Sequence, residues 1–364
     1  MKKKHHKPIR VIQIIDSLDA GGAERMAVNL ANALVDKVEF SGLVVTRAEG
    51  VLKNLVDNEV SYFFCSKKRS LDILAIYSTL RYVKRHKVNL LHAHGSSYFF
   101  AVLLKTLCPR LKLVWHDHHG NRPYESQSIK TKVLKKVSSR FNHIFCVSQS
   151  LLRWSKINLN SSSVSLVHNF TMNNKVFLNC EAEFDFPSIT CVANLRWQKN
   201  HLNLIEAYSI LKQNGVIHKL TLVGHDKKDE YSQKLRKKIE DLDLEEDIYI
   251  LGQRSDVDSI IHESSICVLS SDVEALPMVL IEYANLKKPV VVTDVGQCAE
   301  VVGDYAQVVK PNDAEALATG IAYYINHPDL AQKEAMLLHE KVQNEFNPDV
   351  IILEILNIYE GILK

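Results

Sequence analysis

The chain reads as an α/β protein built from two doubly wound domains in tandem, and three observations predict this. Short β-branched runs alternate with helix-period segments almost from end to end. The runs are apolar on both faces, and the alternation lapses once near the middle before restarting. Strands apolar on both sides and joined by helical crossovers belong to parallel sheets covered by helices on two faces. With 364 residues, 46% of them apolar and 24% charged, two cores of normal domain size can form.

Taken in order, the strand candidates of the first half are IRVIQII, FSGLVVT, SYFFC, VNLLHAH, KLVWH, HIFCVS and VSLVHN. Between them, ERMAVNLANALVD and LDILAIYSTLRYVKRH carry apolar residues at i, i+3, i+4 and i+7, the helical spacing. TMNNKVFLNCEAEFDFP is polar and acidic, and residues 173–187 are assigned as a linker. The alternation resumes with SITCVANL, KLTLVG, IYILG, ICVLS, PVVVTD and AQVVKP. Domain one is therefore placed at 1–172 and domain two at 188–345. A last helix, within 346–364, has an apolar face that can pack on either domain, a return onto the first being the working assignment.

A net charge of +3 argues against a nucleic-acid binder. Seven cysteines are scattered with no C-x-x-C pair, several inside apolar runs, as expected of reduced core thiols in a cytoplasmic protein. MKKKHHKPIR is basic, but the apolar run behind it is too short for a signal peptide or a membrane span.

Open α/β sheets bind ligands beyond the carboxyl ends of their strands, and two such domains suggest a cleft between them. Four segments follow strands and carry chemistry. In IIDSLDAGGAERM, Gly21 and Gly22 precede a helix start, where backbone amides can approach an anion, although the spacing is not G-x-G-x-x-G. In VANLRWQKNHL, Arg196 and Lys199 sit between a strand and a helix and suit a diphosphate; a solvated basic turn is the commoner use of such a pair.

In SSDVEALPMVLIEYANLKK, Pro277 fits the first helical position, so the amides of Met278 and Val279 precede any intrahelical partner. Glu274 in the loop and Glu282 in the helix bracket that start, each able to accept bonds from vicinal hydroxyls. Two isolated glutamates would more often be surface charges. The fourth segment clusters His92, His94, His116, His118 and His119 behind two strands. H-x-H can chelate zinc, but no cysteine or glutamate arrives at a metal-site spacing and no H-E-x-x-H occurs. Hydrogen bonding to a substrate hydroxyl is the reading adopted; no metal and no cofactor are expected.

In combination these segments resemble the retaining GT-B glycosyltransferases of glycosyltransferase family 4. The most specific part is VANLRWQKN, LTLVG, IYILGQRSDV and SSDVEALPMVLIEYANLKKPVVVTDVGQCAEVV, whose glutamate pair matches the family's E-x7-E motif. The resemblance implies two Rossmann-like domains facing an interdomain cleft. It implies that Glu274 contacts donor-sugar hydroxyls and Glu282 the ribose, with Leu276, Pro277, Met278 and Val279 lining the donor site. Lys199 and a nearby arginine would hold the diphosphate, and Gly21 and Gly22 would line the phosphate and acceptor side. His116 would touch the sugar near C6, with His118 the second candidate. Asn194 stands where the family usually has the diphosphate arginine, and Arg196 follows two residues later. Ala275 and Lys287 replace two further family glycines.

The resulting expectation is a metal-independent transferase that moves a sugar, with retention, from a UDP- or GDP-linked donor to a glycan or lipid-linked acceptor, as in cell-surface polysaccharide synthesis. The basic segment IKTKVLKKVSSRF (129–141) can rest on an anionic membrane or be a solvated helix face. Two rival readings are a sugar-nucleotide epimerase of the same architecture and a catalytically silent sugar-nucleotide-binding scaffold.

Overall fold

The computed structural model describes residues 7–119, 129–172 and 186–364. The linker assignment falls almost wholly on 173–185, outside the described residues. Contacts divide the chain into two compact units: Met1–Met172 with Pro348–Lys364, and Asn173–Asn347.

The first unit contains β1 (Arg10–Ser17), β2 (Phe40–Ala48), β3 (Ser61–Phe64), β4 (Leu90–His94), β5 (Lys112–Asp117), β6 (His143–Cys146) and β7 (Val164–Leu166). They form one sheet in the order β3-β2-β1-β4-β5-β6-β7, every neighbouring pair parallel. The second unit contains β8 (Ser188–Val192), β9 (Lys219–Val223), β10 (Ile248–Gly252), β11 (Ile266–Leu269), β12 (Val290–Thr293) and β13 (Gln307–Val309). Its order is β10-β9-β8-β11-β12-β13, again all parallel.

Each sheet reverses its strand order once, between β1 and β4 in the first and between β8 and β11 in the second. Helices leave opposite faces on either side of that point, which opens a crevice at the carboxyl ends of the two strands. The reversals therefore single out the exits of β1 and β4, and of β8 and β11.

The helix Pro348–Leu363 belongs to the first unit. Ile351, Ile352, Ile355, Tyr359 and Leu363 recur at helical spacing and pack with Met26 and Leu30 of the helix Gly22–Ala33 over Val11, Leu90, Val114 and Phe145. A second cluster, including Ile15, Val28, Leu43 and Val45, forms part of the core of the same unit. Among the described residues, no helix is long and apolar enough to cross a membrane. The six described cysteines are all free, four of them buried.

Candidate nucleotide-sugar site

In the second unit the exit of β8 is a tight turn. Trp197–Lys199 forms a 3-10 turn, and Asn200 takes a left-handed φ of 44° to cap the helix His201–Gln213, its side chain accepting from the Asn203 amide. This turn meets the exit loop of β11 directly. The amide of Asp272 donates to Gln198 O at 2.8 Å, Ser270 Oγ donates to Lys199 O at 3.0 Å, and Asn200 Nδ2 donates to Asp272 Oδ1 at 2.8 Å. The two loops flanking the reversal are thus fastened to one another.

Glu274 lies at the centre of that junction. Its Oε1 accepts from Lys199 Nζ and, at 2.6 Å, from Ser271 Oγ. Only 10% of its side chain is exposed, against 25% for Lys199. The exit loop of β12 supports the other side. Gly296, at φ +58°, lies where a Cβ would stand 2.4 Å from Glu274 O, and the Gln297 amide donates to Ala275 O at 3.0 Å. Close approach and left-handed backbone together require glycine there.

Pro277 caps the following helix from outside it instead of occupying the first helical position. The helix runs Met278–Asn285, and its first closing bond is Leu280 N–H to Pro277 O at 3.3 Å. The one-residue shift leaves the amides of Met278 and Val279 in the first turn. Tyr283 anchors the helix: its hydroxyl accepts from Val192 N–H at 2.8 Å and donates to Val268 O at 3.4 Å, tying it to both strands of the reversal. Glu282, half-buried, is the neighbouring residue.

In the first unit Asp16, at the end of β1, gathers the exits of several strands. It accepts from Thr46 Oγ1 at 2.5 Å and Ser96 Oγ at 2.6 Å, with Lys67 Nζ at 3.4 Å and Arg47 Nε at 3.7 Å. Burial works against its charge, but those hydroxyls and cations hold its carboxyl below the usual range. Four residues beyond the end of β1 the glycine pair begins. Gly21 is extended (φ −166°) and Gly22 opens the helix, so neither uses the left-handed backbone that only glycine adopts freely.

The histidines form a buried stack on β4 and β5. His92, His94 and His116 are fully buried and His118 half-buried, with ring centroids 4.2–5.4 Å apart. His94 Nε2 lies 3.0 Å from Gln13 Oε1 and its Nδ1 3.1 Å from His118 Nε2, while His92 Nδ1 is bonded to the Tyr359 hydroxyl of the returning C-terminal helix. Burial, then the neighbouring imidazoles, hold His92, His94 and His116 well below the usual histidine range, and burial alone lowers His118 to about 3.

The profile described as Glycosyl transferases group 1 matches residues 182–336, and the one described as Glycosyltransferase Family 4 matches residues 20–171. The chain belongs to the group 1 glycosyl transferases. Among curated relatives, the amylovoran biosynthesis glycosyltransferase AmsD of Erwinia amylovora is 23% identical over 94% of this chain and 97% of its own. A UDP-Gal:α-D-GlcNAc-diphosphoundecaprenol α-1,3-galactosyltransferase of Escherichia coli is 23% identical over 81% of both chains. Among solved structures, Anabaena Alr3699/HepE in complex with UDP-glucose superposes with a TM-score of 0.81 at 18% identity, covering 97% of this chain and 100% of that one. The fold is that of a GT-B glycosyltransferase.

In this glycosyltransferase the second unit brings together Lys199, Glu274 and the start of the Met278–Asn285 helix, with Arg196 exposed in the adjoining turn. Lys199 is already ion-paired with Glu274, where sequence reasoning left it free for phosphate. Asn194 lies at the same strand exit but faces β9's exit: its Oδ1 accepts from the His225 amide at 2.8 Å, beside Gly224, whose added Cβ would meet Ala193 O at 2.1 Å. His116 lies within β5 and is fully buried, whereas His118 lies just past the end of the strand and is half-buried. Asp16, Ser271, Tyr283 and Gly296 were missed. Asp16 alone left a sequence signal, an acid ending a buried strand just before Gly-Gly.

Proposed function

We propose that this glycosyltransferase moves a sugar from a nucleoside-diphosphate donor, UDP-linked in the first instance, with retention of the anomeric configuration. The observation that carries this reading is the Lys199–Glu274–Ser271 junction at the strand-order reversal of the second unit. Donor departure builds negative charge on the diphosphate while the sugar becomes oxocarbenium-like. Lys199, Arg196 and the amides of Met278 and Val279 are the donors that would meet that charge. Glu274, held by Ser271 and Lys199, has a second carboxylate oxygen for sugar hydroxyls, and Glu282 is the candidate for the ribose. His118, at the strand end, is favoured over buried His116 as the sugar contact in the first unit, with Gly21 and Gly22 on the phosphate and acceptor side.

A lipid-linked or glycan acceptor is supported by relatives such as the diphosphoundecaprenol-linked galactosyltransferase. Two surfaces of the first unit support contact with an anionic membrane. The helix Ile129–Val137 exposes Ile129 at 80% and Val133 at 37% among Lys130, Lys132, Lys135 and Lys136, while burying Leu134. Leu71, Ile73, Leu74 and Tyr77, all more than 60% exposed, stand beside Lys68 and Arg69. Co-sedimentation with vesicles carrying anionic lipid should be salt-sensitive, and its absence would remove the membrane from this reading.

The test is release of free nucleoside diphosphate from a panel of UDP- and GDP-sugars in the presence of diphosphate-linked acceptors, with the product anomer read by NMR. Turnover that survives both Glu274→Ala and Lys199→Ala would overturn the assignment. A silent sugar-nucleotide-binding scaffold is the second reading, favoured by Asn194, which occupies the usual arginine position and is engaged with His225. Tight donor binding without turnover on any acceptor would select it.

A further inference from the structure

We propose that His92, His94 and His116 form a binding site for one divalent transition-metal ion of the zinc type, a site separate from the donor machinery of the second unit. The three come from adjacent parallel strands: His92 and His94 are two residues apart on β4 and share a face, and His94 is paired in register with His116 of β5. One ring nitrogen from each lies within 4.8 Å of the others. Nitrogens on a tetrahedral zinc stand about 3.3 Å apart, given bonds of about 2.0–2.1 Å. Ligation would require the three rings to turn inward by that difference.

Two further features point to a ligand. First, these rings hold polar atoms that nothing satisfies: among the described residues, both nitrogens of His116 and Nε2 of His92 are buried without a hydrogen-bond partner. Buried polar atoms are nearly always satisfied, so several in one cluster call for a group that takes lone pairs. Second, the outer nitrogens are held in the way metal-bound histidines are held. Tyr359 engages His92 Nδ1 and Gln13 engages His94 Nε2, which orients each ring and directs its other nitrogen to the cluster.

All-imidazole donors suit zinc, cobalt, nickel or copper and exclude the oxygen-preferring magnesium and calcium. Occupancy has a consequence for His118. The one lone pair on His94 Nδ1 cannot both ligate an ion and accept from His118 Nε2, so metal binding releases His118 at the end of β5. The ion would thus alter the residue proposed to meet the donor sugar.

The experiment uses the full chain stripped with chelator and desalted, then titrated with Zn²⁺ and Co²⁺, with Mg²⁺ as control. Expected are one tightly held zinc per chain by elemental analysis, visible bands of a tetrahedral cobalt site, and a rise in Tm with zinc. His92→Gln and His116→Gln should each lose the retained ion and the cobalt bands. Tyr359→Phe, which keeps the ring and its packing, should weaken zinc about 10-fold or more. This third variant keeps the test open where the histidine variants fold poorly. No retained ion in the wild-type chain, or a stoichiometry unchanged in all three variants, overturns the proposal. Failure here leaves the sugar-transfer reading untouched, because metal retention is read without turnover.

Discussion

The proposed donor site gives Lys199 and Glu274 different jobs at one junction, and substitution should separate them. Lys199→Ala removes a cation from the proposed diphosphate position, so UDP affinity and transfer should both fall, transfer by about 10² to 10³-fold. Glu274→Gln keeps the shape and the Ser271 contact while losing the charge; UDP without sugar should still bind, and transfer should fall by a similar factor. Isothermal titration with UDP and a coupled release assay distinguish the two outcomes. Stability should drop by only about 1–2 kcal/mol in either variant, since the pair is partly hydrated. Equal loss of UDP binding in both would mean that the two residues act as one structural clasp. At this scale residue type singled out Lys199, Glu274 and the helix start behind Pro277, and these lie at the exits of β8 and β11. It was silent about partners. Nothing local says that Lys199 will pair with Glu274, 75 positions away, or that Asn194 will bond to the His225 amide.

At the scale of elements, the exit loop of β11, proposed to bind the donor, is held in shape from both sides. Gly296→Ala places a Cβ against Glu274 O in a left-handed backbone, so the loop must shift. Transfer should fall at least about 10-fold with a stability cost of about 1–3 kcal/mol. Normal turnover, with denaturant midpoint unchanged, would show that the loop has slack. Tyr283→Phe leaves the Val192 amide without its partner and loosens the helix that carries Glu282. The expected cost is about 1–3 kcal/mol by urea unfolding, with kcat reduced more than donor affinity. Strand and helix identities were legible because apolar runs of four to eight residues and 3.6-residue periods are local signals. Strand order was not, since it depends on which strands pair. The histidines were grouped from the sequence as lying behind two strands, but their pairing was not legible: His92, His94 and His116 lie within β4 and β5, and His116 meets His94 only through the β4–β5 register.

For the whole molecule, the returning C-terminal helix is part of the first unit's core and not an appendage. Ile355 is fully buried there against the sheet and the first helix. Ile355→Ala should cost about 2–5 kcal/mol, read by urea unfolding; a cost below 1 kcal/mol would mean that the helix is dispensable. Acid should also weaken the fold. His201 is fully buried beside Lys199, and burial first, then that cation, lowers its pKa to about 4. Its folded value lies below the unfolded value near 6.5. The unfolded chain therefore takes up the proton first as pH falls, and stability present above about 6.5 is lost progressively toward about 4. His201 alone accounts for on the order of 3 kcal/mol across that window, and His201→Gln should flatten the pH dependence of the urea midpoint by that much. An unchanged slope would place His201 in water. The two-unit organisation was readable from the single lapse in the alternation, whereas the partner of the final helix was not, because its apolar face fits either unit.

The proposed binding of a sugar nucleotide's diphosphate at the exits of β8 and β11 is open to a direct check. That check is a titration of the wild-type chain and of Lys199→Ala with UDP. Saturable one-to-one binding to the wild type is expected, with a Kd at least about 10-fold weaker for the variant. Equal affinity in the two proteins, or no binding of UDP or GDP to either, would contradict it.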